Sequence, residues 1–194
     1  MKTAVLSFLP ILYVLGFSGC RQGHDYARYV RELDSLKVVT EQAVDHFTTV
    51  DSLACYEAYS KERSYRLFIE SHVNDTVPKE TAEALTGFFS TEKALKDYLG
   101  QRPVWLSEAR SVIRQVGLLS NDLKNGSIET AEAVEFISTE KKRSEKIIEE
   151  LKTNTVLIRK HLELYNRYLP VVEQVLKSYN AGILPAMTGE EKQL

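Results

Sequence analysis

Cysteine, proline and glycine, the residues that staple, stop or loosen a chain, are scarce here. The 194 residues include two Cys, five Pro, nine Gly and a single Trp. Little glycine and proline beside abundant Glu, Lys, Leu and Ala favours helix. No alternating apolar and polar run of any length marks a strand, and no internal repeat exceeds seven residues. No excess of either charge is present. Lys2 is the only charged residue before position 21, so the remainder carries 24 basic and 27 acidic side chains. A near-neutral surface does not suit nucleic acid, which needs clustered cations against its phosphates. The densest basic run, Lys141, Lys142, Arg143 and Lys146, alternates with Glu140, Glu145, Glu149 and Glu150, as on a solvated, salt-bridged helix face.

Chemical motifs are equally sparse. His24, His46, His72 and His161 are scattered, and none follows a glutamate at three residues' distance, which excludes the Glu-x-x-His ligand pairs of di-iron bundles. His-Glu-x-x-His, Cys-x-x-Cys and a glycine-rich phosphate loop are all absent. No clustered carboxylates suggest a hydrolase. The sequence assigns no catalytic, cofactor or metal residue, and the expectation is a non-enzyme without a cofactor. Tyr56, Tyr59, Tyr65 and Phe68 lie at helical spacings, where aromatic side chains serve a core more often than a ligand.

What is abundant is heptad periodicity. From Ser144 to Tyr179, steps of four and three fall on Ser144, Ile148, Leu151, Thr155, Ile158, Leu162, Tyr165, Leu169, Val172, Leu176 and Tyr179. Such a seam packs a helix along its whole length. Ile147, Leu157, Leu164, Tyr168, Val171 and Val175 widen the stripe enough for two neighbours. Two earlier stretches show a similar register. The first, 25 to 71, carries Tyr26, Val30, Leu33, Val44, Phe47, Ala54, Ala58, Tyr65 and Phe68, with polar Lys37, Thr40, Asp51 and Lys61 on the same line and a bend expected near Asp51. Asp25 is its expected N-cap. The second, 78 to 124, carries Leu85, Phe88, Leu95, Leu99, Leu106, Ala109, Ile113, Val116 and Leu123, interrupted by Gly100-Gln-Arg-Pro103. A kink or break is expected there, with Trp105 filling the bend, because an internal proline removes a backbone hydrogen bond and clashes with the preceding turn.

Loop signals separate the three stretches. His72 to Pro78 reads as one loop, with Asp75 or Thr76 capping the second helical stretch. Asn125-Gly126 is a turn, with Ser127 as cap of a third helix that Pro170 should kink and that Asn180 and Gly182 close. Near-equal lengths and short connections predict an all-α fold, an elongated antiparallel up-down-up three-helix bundle with coiled-coil-like heptads. Residues 25–183 form this domain, and residues 184–194 a flexible C-terminal tail.

The first twenty residues are different. Lys2 precedes an apolar run from Ala4 to Phe17, shorter than the roughly 20 residues a membrane-spanning helix needs. Phe17-Ser-Gly-Cys20 closes the run, with Phe17 where leucine is usual, and this ending resembles the lipobox of bacterial lipoproteins. The resemblance covers residues 1–20 only. It implies a signal peptide over 1–19, a lipid on Cys20, a tether over 20–24, and attachment to a membrane of the bacterial cell envelope. Cleavage after Ser18 would instead release a soluble protein, and retention of the apolar run would leave an uncleaved anchor. Cysteine at the one position the lipid chemistry requires favours the lipoprotein. With Cys20 acylated, Cys55 has no intrachain partner, and beside Leu53 and Ala54 it reads as buried and inert.

Three short motifs resemble the Asp-Ser/Thr-aliphatic sites that some Gram-negative bacteria O-glycosylate. They are Asp34-Ser35-Leu36, Asp51-Ser52-Leu53 and Asp75-Thr76-Val77, giving Ser35, Ser52 and Thr76 as candidates, Thr76 foremost because of its loop. The function expected from all this is an envelope lipoprotein anchored through Cys20, acting as a non-enzymatic helical spacer, adaptor or protein-interaction module. The alternative is a ligand-binding lipoprotein with a pocket between helices near Pro103 or Pro170.

Overall fold

The computed structural model describes residues 23–73 and 76–187. Among these the regular structure is all α-helix, without strands, in the order α1 (Gly23–Thr48), α2 (Ser52–His72), α3 (Lys79–Phe89), α4 (Glu92–Lys124) and α5 (Thr130–Tyr179). Helices α1, α4 and α5 pack against one another, α2 packs on α4 and α5, and α3 lies mainly on α5.

Side-chain pairs give the directions. Asp34, early in α1, meets Ser120 and Lys124 at the end of α4, at 2.7 and 3.1 Å. Phe47, late in α1, meets Tyr98 and Trp105 in the first half of α4. These two helices are antiparallel. Helix α5 runs with α1 and α2, since Lys141 bonds Glu32, Arg159 bonds Thr49, and Tyr65 bonds Glu173.

The break between α1 and α2 has a local cause. Thr48, Thr49 and Val50 are three consecutive β-branched residues, poor helix formers. The two threonine hydroxyls donate to the carbonyls of Asp45 and His46, competing with the helical ladder. Asp51 then caps α2, accepting from the backbone N–H of Leu53 at 2.9 Å and of Ala54 at 3.1 Å. The bend expected near Asp51 is thus a clean restart.

Of the kink or break expected at Gly100–Pro103, the break lies elsewhere. Helix α4 continues unbroken through Pro103, which is on an exposed face, and the chain breaks instead at Ser90–Thr91. There the Ser90 hydroxyl donates to the Gly87 carbonyl, and the Thr91 hydroxyl reaches the Phe88 carbonyl, drawing α3's last acceptors out of line. Helix α5 likewise runs unbroken through Pro170. Capping differs in detail as well. Asp25 falls inside the first turn of α1, Pro78 precedes α3, and Glu129, not Ser127, precedes α5, the last two without a side-chain cap. The turn before α5 does use Gly126, whose φ of 65° suits glycine.

The core follows the α5 seam. Ser144, Ile148, Leu151, Thr155, Ile158, Tyr165, Val172 and Leu176 are buried, whereas Tyr179 emerges at the end. The flanks are narrower than expected: Ile147 is buried, but Leu157 and Val171 are 45% and 43% exposed. The segment after α5 is not wholly loose, because Leu184 packs on the core and Met187 lies over a groove between α2 and α5. Residues beyond 187 are outside the described part.

Candidate functional site

The unusual chemistry lies where α2, the α3–α4 break and α5 meet. Glu62, on α2, has no exposed surface. Its Oε1 accepts from the Thr91 hydroxyl, and its Oε2 has no partner among the described residues. Burial pushes the Glu62 carboxyl up to about 8, with Glu92 adding to the rise and Thr91 and Arg66 opposing it. A buried, half-satisfied carboxylate is costly, and the neutral acid is the form such a pocket tolerates.

Aromatic rings close the surroundings. Phe88, from α3, is stacked between Tyr65 of α2, at 6.3 Å, and Tyr165 of α5, at 5.2 Å. The Tyr65 hydroxyl donates to Glu173 at 3.1 Å, and Lys61 lies 3.5 Å from the same oxygen. Burial raises both tyrosine pKa values, with Glu173 contributing for Tyr65 and Glu62 for Tyr165. On the outer side Arg66 sits over the Phe89 ring at 4.5 Å, bonds Glu92 at 2.7 Å, and donates to the Phe89 carbonyl. Gly87 lets α3 lie this close to α5, since a Cβ there would stand 2.4 Å from the Tyr168 ring. The cluster can hold a proton and join three elements. Glu62 is not among the residues lining the grooves beside Trp105, Met187, Pro103 and Gly126.

Sequence reasoning misses Glu62 because its count runs unbroken through position 50. That register places Ala54, Ala58, Lys61 and Tyr65 inward. After the restart at Asp51, the inward residues are Cys55, Ala58, Tyr59, Glu62, Ser64 and Tyr65. The available signal is the stripe Cys55, Tyr59 and Glu62, which accepts one acid among apolar neighbours. Of the aromatic candidates, Tyr59 and Tyr65 are core residues and Phe68 stacks on His72 at 4.2 Å.

The other sequence candidates are dispersed. Cys20 is outside the described residues. Thr76 is exposed in the segment before α3, Ser35 is exposed on α1, and Ser52 opens α2, far from one another in role and surroundings. Cys55 is fully buried and its thiol is pushed up to about 11 by burial, with Asp51 adding to the rise, the state of an unreactive thiol. His161 is half-buried, its Nδ1 lacks a partner among the described residues, and burial lowers its pKa, with Lys160 adding to the fall.

Shallow grooves mark the surface. Pro103 itself lines an open groove of about 530 Å³ with Glu108 and Arg143, and a second groove of about 380 Å³ lies between α4 and α5, lined by Tyr98, Trp105 and Ile158 with Lys93, Asp97 and Asn154. Trp105 sits edge-on to Phe47 at 5.9 Å, linking α4 to the end of α1. Among the described residues no three His, Cys, Asp or Glu are grouped to hold a metal, and no helix is long and apolar enough to cross a membrane. Comparison with protein-family models, curated proteins and solved structures finds no match for this chain.

Proposed function

We propose that this protein is a lipid-anchored module of the bacterial cell envelope, a non-enzymatic helical spacer or adaptor held at a membrane through Cys20. In this reading α1–α2 and α3–α4 are two interrupted rods flanking α5 in an up-down-up bundle, with the α5 heptads as its common seam. The observation that carries it is the arrangement of ends. The Tyr26 hydroxyl reaches the Ile128 carbonyl, which puts the start of α1 beside the α4–α5 turn. Cys20 is three residues before Gly23, so a lipid there would hold this end at the membrane. The loop between α2 and α3 and the end of α5 would then stand at the distal end. At 1.5 Å per residue, the 50 residues of α5 reach about 75 Å.

A spacer also fits the core near Pro103, where Tyr98, Leu106 and Ala109 are buried. The groove of about 380 Å³ beside Trp105 is the seat for the alternative, a ligand-binding lipoprotein.

Labelling cells with a radioactive fatty acid tests the anchor: label is expected on the wild-type chain and absent from Cys20→Ala. Equal labelling would remove the anchor. Replacing residues 72–79 with glycines tests the distal end, where loss of partner recovery in a pull-down is expected and unchanged recovery would count against an adaptor.

A further inference from the structure

The protons around Glu62 can be counted. The Thr91 hydroxyl has one hydrogen and two acceptors within reach, Glu62 Oε1 and the Phe88 carbonyl, the latter at 3.1 Å. If Glu62 is ionised, Thr91 must give its hydrogen to the carboxylate, and the Phe88 carbonyl loses that bond. If Glu62 is protonated, it donates to Thr91, and Thr91 donates to Phe88. Both contacts are then satisfied in one chain of bonds that ties α2 to the last turn of α3.

Burial and Glu92 favour the protonated form, and they outweigh Thr91 and Arg66, which favour the ionised one. Helix α4 contributes Glu92, a second negative charge; Arg66, on Glu62's own helix, is already engaged by Glu92 and by the Phe89 carbonyl. Helix α5 contributes Tyr165 and, beyond it, Glu173, whose charge is taken up by Tyr65 and Lys61. Helix α3 contributes the Phe88 ring and its carbonyl. Among the described residues no cation bonds Glu62 Oε2.

Helix α3 is also the element most easily lifted. It has 11 residues, only Ala84 and Phe88 are buried, and it is bounded by the segment after α2 and by the Ser90–Thr91 break. Lifting it uncovers Ala84, Phe88 and the partly buried Leu85 and Phe89, fewer apolar side chains than any other helix buries, and opens the Glu62 site to water.

We propose that Glu62 is a proton-operated latch: protonated, it clasps α3 against α5 through Thr91 and Phe88, and on losing its proton it lets α3 open at the distal end of the molecule. The sign follows from linkage. With α3 closed the carboxyl titrates near 8, and with α3 open it returns towards the ordinary 4.5. The closed form therefore holds a proton that the open form releases across that interval. Opening is least at and below about pH 4.5, rises about tenfold per pH unit up to about pH 8, and levels off above it.

Hydrogen-exchange mass spectrometry on the full chain between pH 5.5 and 8.5, corrected for intrinsic exchange, tests this. Protection of residues 79–89 is expected to fall about tenfold per pH unit and then level off, while the centre of α5 stays unchanged. In Glu62→Gln, which keeps the shape but cannot ionise, α3 protection is expected to be flat. A flat wild-type profile, an equal slope in Glu62→Gln, or a parallel fall at the centre of α5 would each overturn the latch. Carboxyl-carbon NMR of the wild type serves if the variant does not fold. One glutamate titrating near pH 8 supports the proposal, and all of them titrating below about pH 6 refutes it.

Discussion

Gly87→Ala is a small change with a sign that the packing decides. A Cβ on Gly87 would lie 2.4, 2.8 and 2.9 Å from Cε2, Cζ and Cδ2 of Tyr168, against the roughly 3.5–4.0 Å at which carbon atoms normally rest. Either the tyrosine ring turns out of its place on the core or α3 rises off α5 by about 1 Å. Forced overpacking of this kind costs about 1–3 kcal/mol. Against it stands the helical gain of alanine over glycine, about 1 kcal/mol. The expected net effect is between no change and a loss of about 2 kcal/mol. Gly100 and Gly117 are the controls, because both lie inside α4 and neither Cβ would meet any atom within 4 Å. Each alanine there is expected to stabilise by about 1 kcal/mol. Urea unfolding followed by circular dichroism reads all three, and the gap between Gly87→Ala and its controls should be about 1–3 kcal/mol. In a Tyr168→Ala background the Gly87→Ala penalty should vanish, since the obstructing ring is gone. If all three alanines raise the midpoint equally in the wild-type background, the close approach of α3 to α5 is wrong.

Pro103→Ala should raise the unfolding midpoint, because Pro103 is exposed inside an unbroken α4 and its replacement restores a helical hydrogen bond. A gain of about 1–3 kcal/mol is expected by the same denaturation assay, and a loss would mean that the proline is needed for packing. Leu151→Ala, at a fully buried seam position, should cost about 2–5 kcal/mol, whereas Leu157→Ala, 45% exposed on the flank, should cost less than about 1 kcal/mol. Equal losses at the two positions would contradict the narrow buried face of α5.

Heptad spacing is a local property, and α5 was therefore legible residue by residue: the seam from Ser144 to Leu176 is the line of greatest burial. The restart at Asp51 could also be read locally, since an aspartate after Thr48-Thr49-Val50 has both the poor helix formers before it and the capping oxygen. The break at Ser90–Thr91 could not. It lacks glycine and proline, and its threonine is drawn inward by a carboxylate 29 residues earlier. Pro103 left a kink and a break both open, and only the structure excludes the break, because a proline on the exposed face of a helix anchored on α1 and α5 forfeits one hydrogen bond without ending the helix.

Composition and periodicity alone determined that this chain is helical and that α5 forms much of its core. Only the tertiary structure decided that Glu62 is buried. The offset introduced between Thr49 and Asp51 turns Cys55, Tyr59 and Glu62 inward in place of Ala54 and Lys61, and three elements then close over the carboxyl. The burial of one polar side chain depends on where neighbouring helices lie, and that information is not carried by any single stretch of sequence.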